Sequence, residues 1–327
     1  MFLLAIIAAC NRDPVESGDT EVADPRRWEV LQEDLPGVLL SVSGRSSSDF
    51  WTVGADAGAG PEVHRWDGTA WTEPDPGVSA DLWWVFAQGD AAVWLCGEAG
   101  TIVRYDRASS AFATVSSPTT ATLFGLWGAD DDVQYSVGGF VGAHDGAAGV
   151  VLRIDAGVVT QVANLPAEVD RDEVYFKVWG SGPSDVWVVG DRGGVLHWDG
   201  SAWTRRVMLG APRLVTISGS GADDRVVVGG STEGSIFQWT DGTWEDVAPS
   251  SLPPLNGVFV SDSGAAAASG FFGIVLERVD GAWRTLPPAT RSQDWHAAWV
   301  DEDGAIYVAG GGFMTLTDGA LYRYAAP

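Results

Sequence analysis

The chain has 327 residues, 46% of them hydrophobic, with 42 glycines, 17 tryptophans and only 19% charged residues. That mixture suits a large β-rich core with many turns, and no convincing helical period runs through it. The formal net charge of −25 excludes a nucleic-acid binder, which needs clustered Lys and Arg, and argues against adsorption to anionic lipid.

The chain opens with MFLLAIIAAC, an apolar run too short to span a bilayer as a helix but suited to the core of an export signal. Its end, IAAC, resembles the lipobox of bacterial lipoproteins. That resemblance implies lipid modification of Cys10, export, and a chain anchored in the cell envelope, at the outer membrane or cell surface. Residues 11–26 are polar, acidic and aperiodic, and are expected to form a disordered tether. The folded domain then covers residues 27–327. Cys96 sits in the apolar run VWLCG and reads as a buried small hydrophobe, so no disulfide framework is expected.

From residue 38 onward a strand ending in glycine recurs, with markers at Gly54, Gly97, Gly138, Gly190, Gly229, Gly270 and Gly310. The steps are mostly about 40 residues, a period that signals propellers or solenoids. Each copy has the same order. An apolar run comes first, then the strand to the marker glycine. A third strand follows, such as EVHRWDG or VLHWDG, and a fourth begins with Trp71, Phe112, Trp203, Trp244 or Trp283. Four short strands per period predict an all-β, seven-bladed β-propeller with four-stranded antiparallel blades. The last copy ends at its third strand, GALYRYAAP. The N-terminal segment RRWEVLQEDLPG is therefore expected to close that blade, with Trp28 in the role of Trp203 and two open edges removed.

The Asp-Gly pairs at Asp67, Asp199, Asp241 and Asp280 fall between third and fourth strands, where a two-residue hairpin turn needs positive φ. They read as turn formers rather than catalytic acids. The repeated tryptophans read as wedges between blades. His64 and His197 are assigned to one repeat position as packing residues, while His144 and His296 stand alone.

The segment VWGSGPSDVWVVGDRGGVLHWDGSAW, residues 178–203, resembles the repeats of secreted bacterial propellers of the DVW.VG…G.I.H.DG..W type. These are often lipoproteins, and distantly they resemble sialidase-like and photosystem-assembly-factor propellers. The likeness covers residues 27–327, is weakest in the sixth blade at GAAAASG, and implies the fold far more than a reaction.

In such a blade the turns between strands one and two and between three and four share one face, and here they are short and uniform. The other face carries longer, varied connections, where binding residues are expected on a rigid scaffold. The candidates are Phe140, His144, Asp145, Asp191, Arg192, Phe271, Phe272, Phe313 and Met314. No catalytic motif appears, and a non-enzymatic monomer is expected, presenting this face to an envelope protein. A surface glycan is the alternative partner and a propeller hydrolase or lyase the third reading. The acidic turns, among them Asp130 to Asp132 and Asp301 to Gly304, do not reproduce a calcium-loop spacing. No cofactor is expected, with calcium as the alternative.

Overall fold

The computed structural model describes residues 24–327, apart from 131, 143–148, 168–171, 209–212 and 290–292. Its strands form seven four-stranded antiparallel sheets. The first strands of the blades are Leu39–Ser46, Leu82–Phe86, Thr122–Gly128, Tyr175–Gly182, Leu214–Gly221, Leu255–Val260 and Asp294–Val300. Each touches the first strand of the next blade, and the seventh returns to the first, so these seven strands ring a central axis.

The ring closes with the N-terminal strand. Arg27–Gly37 pairs antiparallel with Thr317–Ala325 as the outer strand of blade 7, with Trp28 opposite Tyr324. Trp203 lies opposite Trp198 in the same way, so Trp28 does take the Trp203 role. Its ring packs 5.1 Å from Tyr324 and its indole N–H donates to Pro287 O at 2.8 Å.

The marker glycines have a steric cause. Each pairs with the start of its blade's first strand, for example Gly54 with Leu39 and Gly138 with Leu123. At all seven, a Cβ would strike the carbonyl oxygen of the residue just before that partner, such as Val38 O or Thr122 O. Only glycine lets the two backbones cross this closely. Gly138→Ala should therefore destabilise the protein by about 2 kcal/mol or more, as overpacking against backbone does. A urea midpoint equal to that of the parent protein would show that the crossing tolerates a methyl group.

Four of the scattered arginines find their place once the register is known. Three residues before the marker glycine, an aromatic in the second strand lies opposite a cation in the third. These pairs are Trp51 with Arg65, Trp94 with Arg104, Tyr135 with Arg153 and Tyr307 with Arg323. The guanidinium carbons sit 5.4 to 6.0 Å from the ring centroids, within cation–π range. In blade 4, His197 holds this position and stacks on Trp187 at 3.9 Å. This corrects the sequence alignment of the histidines. The counterpart of His197 is Arg65, while His64 is opposite Thr52, buried and bound to Glu62 at 2.8 Å.

The Asp-Gly turns divide into two kinds. Asp241-Gly242 and Asp280-Gly281 are two-residue turns with positive φ at both positions. Asp67 and Asp199 do not adopt positive φ. Their carboxylates accept backbone and hydroxyl hydrogen bonds from the following residues, at 2.7 to 2.8 Å. Those bonds hold both acids down to about 2. Asp130 and Asp301 cap their turns in the same manner. Among the described residues no group of three or more His, Cys, Asp or Glu could hold a metal ion. Cys96 is buried, with its thiol pushed up to about 12 by desolvation.

Candidate functional site

Each first strand carries a β-bulge one residue after its pairing with the marker glycine. The bulged residues are Leu40, Trp83, Phe124, Phe176, Val215, Asn256 and His296. A bulge re-aims a side chain, and here it turns these residues toward the axis on the variable face. Trp83 of blade 2 reaches His296 of blade 7, with ring centroids 5.9 Å apart, across intervening blade 1. Such contact is feasible only near the axis.

The bulged rings and the variable loops together form a continuous arc. Arg213 lies 4.8 Å over Phe176, which meets Phe124 at 5.6 Å, and Phe124 meets Trp83 at 5.0 Å. Phe313 stacks on His296 at 5.3 Å and also touches Trp83 and Phe271, and Phe271 meets Phe272. Edge-to-face and offset pairs of this kind pack firmly. The inner members are buried or half-buried. The outer rim is not: Phe272 is 76% and Met314 87% exposed.

The loop under Phe272 is a specific device. Phe271–Gly273 forms a single 3-10 turn with Phe272 at φ 59. Glu98–Gly100 in blade 2 has the same form with Ala99 at φ 53, and Arg192 in blade 4 sits at φ 61. The turn thus recurs while its tip residue changes, as expected of a scaffold that displays a variable side chain. Phe272 is fixed further by its N–H, which donates to Asp294 Oδ1 at 3.1 Å.

Of the residues expected from the sequence, Phe271, Phe272 and Phe313 come together, with Met314 beside them. Asp191 joins the other end through a bridge to Arg213. Its carboxylate accepts the Val174 N–H at 2.8 Å, which makes it a brace for the blade connection. Arg192 is exposed on the neighbouring turn. Phe140 is 42% exposed at the end of a blade 3 strand and makes no ring contact with the arc. His144, Asp145 and Cys10 lie outside the described residues. Trp83, Phe124, Phe176 and His296 were missed by sequence reasoning.

Beneath the arc lies the chain's only lysine. Lys177 is buried, donates from Nζ to Phe124 O at 2.7 Å and sits 4.5 Å from the Trp84 ring. Burial lowers it to about 7. His296 is buried too, and desolvation together with the Lys177 charge lowers it to about 3. It is therefore neutral at physiological pH, with Nδ1–H donated to Leu40 O.

The axis also opens on the uniform-turn face, as a cavity of about 550 Å3 lined by Phe86, Trp127, Trp179 and Phe259. A Cβ at Gly180 or Gly219 would meet the rings of Trp127 and Trp179. Those rings thus lie against the glycine backbone of the next blade and act as wedges. The exposed, strained aromatic surface belongs to the variable face.

No family model matches the chain, and no curated protein matches it. Solved propellers do. YCF48 from Cyanidioschyzon merolae is 14% identical with a TM-score of 0.67, over 91% of this chain and 98% of that one. A structure of YCF48 bound to D1 peptide is 14% identical with a TM-score of 0.66, over 93% and 96% of the two chains. The WD40 repeats of RRP9 are 11% identical with a TM-score of 0.70, over 92% and 97%. At these identities the likeness establishes the propeller fold.

Proposed function

We propose that this chain is a non-enzymatic binding propeller of the bacterial cell envelope, which presents the aromatic arc of its variable face to a protein partner. Phe272 carries the reading. A bulky side chain at positive φ is strained by about 1 kcal/mol or more, and this one gains little from its own fold because it is 76% exposed. Exposed apolar side chains held in place on a rigid loop mark contact surfaces. Met314 adds a flexible, polarizable contact beside it. The arc is built of aromatic and thioether groups, which suit binding rather than bond-breaking chemistry. The peptide complex of YCF48 supports a protein partner over a glycan, because a propeller of the same fold takes up a peptide.

The clasp supports an orientation for such an anchored chain. Arg27 pairs with Ala325, at the end of the third strand of blade 7, which is the uniform-turn face. A tether running from a lipid-modified Cys10 would join the propeller there and leave the arc directed away from the membrane.

The test is a crosslinked pull-down from solubilised envelope with the parent chain and a Phe272→Ser, Met314→Ser variant. Both positions are solvent-exposed, so the melting temperature should stay within a few degrees. The captured partner should be lost. Equal capture by both proteins would remove this face from consideration. Phe313 is left intact, because it packs on His296 and its loss would disturb the arc itself.

A further inference from the structure

The arc starts at Arg213 of blade 5, passes through rings of blades 4, 3, 2 and 7, and ends at Phe271 of blade 6. Its two ends lie in neighbouring blades, so the arc surrounds the axis. The mouth it encloses is cationic, in a chain of net charge −25. Arg213 is exposed and stacks over Phe176, and among the described residues its guanidinium has no carboxylate partner. Arg205, Arg278 and Arg107, by contrast, pair with Glu173, Asp224 and Asp49. Beneath the arc Lys177 faces Phe124 O, the Trp84 ring and the buried Cys96 thiol. Its slot is made for it, because a Cβ at Gly125 would crowd its Cδ at 3.2 Å. Across the axis, the charges that act on His296 are those of Lys177 and Arg213, both positive. Among the described residues no carboxylate acts on Lys177 or His296.

We propose that this mouth receives the carboxylate of an Asp or Glu side chain that the protein partner projects into the arc. The proposal rests on the arc as the contact surface and names what that surface selects. Stacking on Phe176 steadies the Arg213 guanidinium, and a guanidinium without a carboxylate partner of its own is free to grip one through two parallel bonds. The buried Lys177 amine adds attraction in a low-dielectric setting, and a bound carboxylate in turn favours its charged form. The rest of the chain is acidic and repels a polyanion. The occupant is therefore one carboxylate among apolar or neutral residues.

The experiment uses the full chain, carrying isotope-labelled lysine, and two blocked peptides, acetyl-Phe-Glu-Phe-amide and acetyl-Phe-Gln-Phe-amide. Calorimetry should show the Glu peptide binding about tenfold more tightly. Arg213→Gln should abolish that preference with an unchanged melting curve, and Arg213→Lys, which keeps the charge, should retain part of it. Lys177 is the only lysine, so its ammonium group gives one NMR signal. The Glu peptide should move its titration midpoint upward, since anion binding and protonation favour one another, and the Gln peptide should leave it in place. Equal affinities, a preference that survives Arg213→Gln, or an unmoved midpoint would each overturn the proposal. So would tighter binding of acetyl-Phe-Gln-Phe with a free carboxyl end, which would make a chain terminus the occupant. The Phe272→Ser, Met314→Ser variant separates the two readings. It should bind both peptides more weakly and keep the Glu preference. Undiminished affinity in this variant, with the preference intact, faults the rim alone, whereas weakened affinity with no preference in either protein faults the mouth.

Discussion

Deleting residues 24–37 should lower the melting temperature by about 10 °C or more, because it removes the strand that closes the ring. The deletion exposes Leu321, Tyr322 and Tyr324, which are at most 1% exposed in the intact protein. It removes the Trp28–Tyr324 ring contact and the Trp28 bond to Pro287 O. It also breaks the bidentate pair of Arg26 with Glu277, both bonds 2.8 Å long, which ties the clasp to blade 6. Burying one large aromatic is worth about 3 kcal/mol, so a loss of about 5 kcal/mol for the strand is a modest sum. In a domain of this size about 2 °C is lost per kcal/mol. A synthetic peptide of residues 24–38 added in trans should restore much of the loss. An unaltered melting temperature would mean that the ring is held by its other six seams alone.

Lys177→Met should stabilise the protein at neutral pH and flatten its pH dependence. In the folded chain this lysine titrates at about 7, against 10.5 for the ordinary side chain. Its folded value is depressed, so the unfolded chain binds the extra proton between the two values. Stability contributed by this site is therefore full above 10.5, falls as pH drops from 10.5 toward 7, and is flat below. At 1.36 kcal/mol per unit the whole span is worth about 5 kcal/mol. Methionine leaves Phe124 O without its donor, at a cost of about 1 kcal/mol. The net gain at pH 7 should then be about 2 kcal/mol or more. Urea unfolding at pH 7 and pH 9 measures it, below the range where the raised phenols of buried tyrosines, Tyr307 among them, add a pH dependence of their own. A variant less stable at pH 7, or one with the parent's slope, would show that the amine is better solvated than its burial implies.

How far the fold could be read from the sequence follows from what repeats. The marker glycines and the fourth-strand aromatics recur in register because backbone geometry that the blades share fixes them, and the Asp-Gly pairs recur because both of their turn forms suit the hairpin between strands three and four. The clasp was legible because the last copy lacks its fourth strand. The cation–aromatic pairs were not, since they need the cross-strand register, and a shift of one residue in EVHRWDG put His64 where Arg65 belongs. The arc was half legible. Its rim lies in loops of unusual composition, and Phe271, Phe272, Phe313 and Met314 stood out for that reason. Its floor lies inside strands that look like ordinary core. Yet Leu40, Trp83, Phe124, Phe176, Val215, Asn256 and His296 all stand fourteen positions before a marker glycine. That column varies between blades while the residue before it is always Leu, Tyr or Trp. Variation at a fixed register position was the available signal, and the bulge that gives it meaning appears only in three dimensions.

The central claim is that the variable face meets a protein. The most direct test is photocrosslinking in intact cells from a benzophenone amino acid placed at position 272, compared with one at position 69 on the uniform-turn face. A discrete adduct from position 272 and none from position 69 is the predicted result. An adduct from position 69 alone would place the partner on the opposite face and contradict the account.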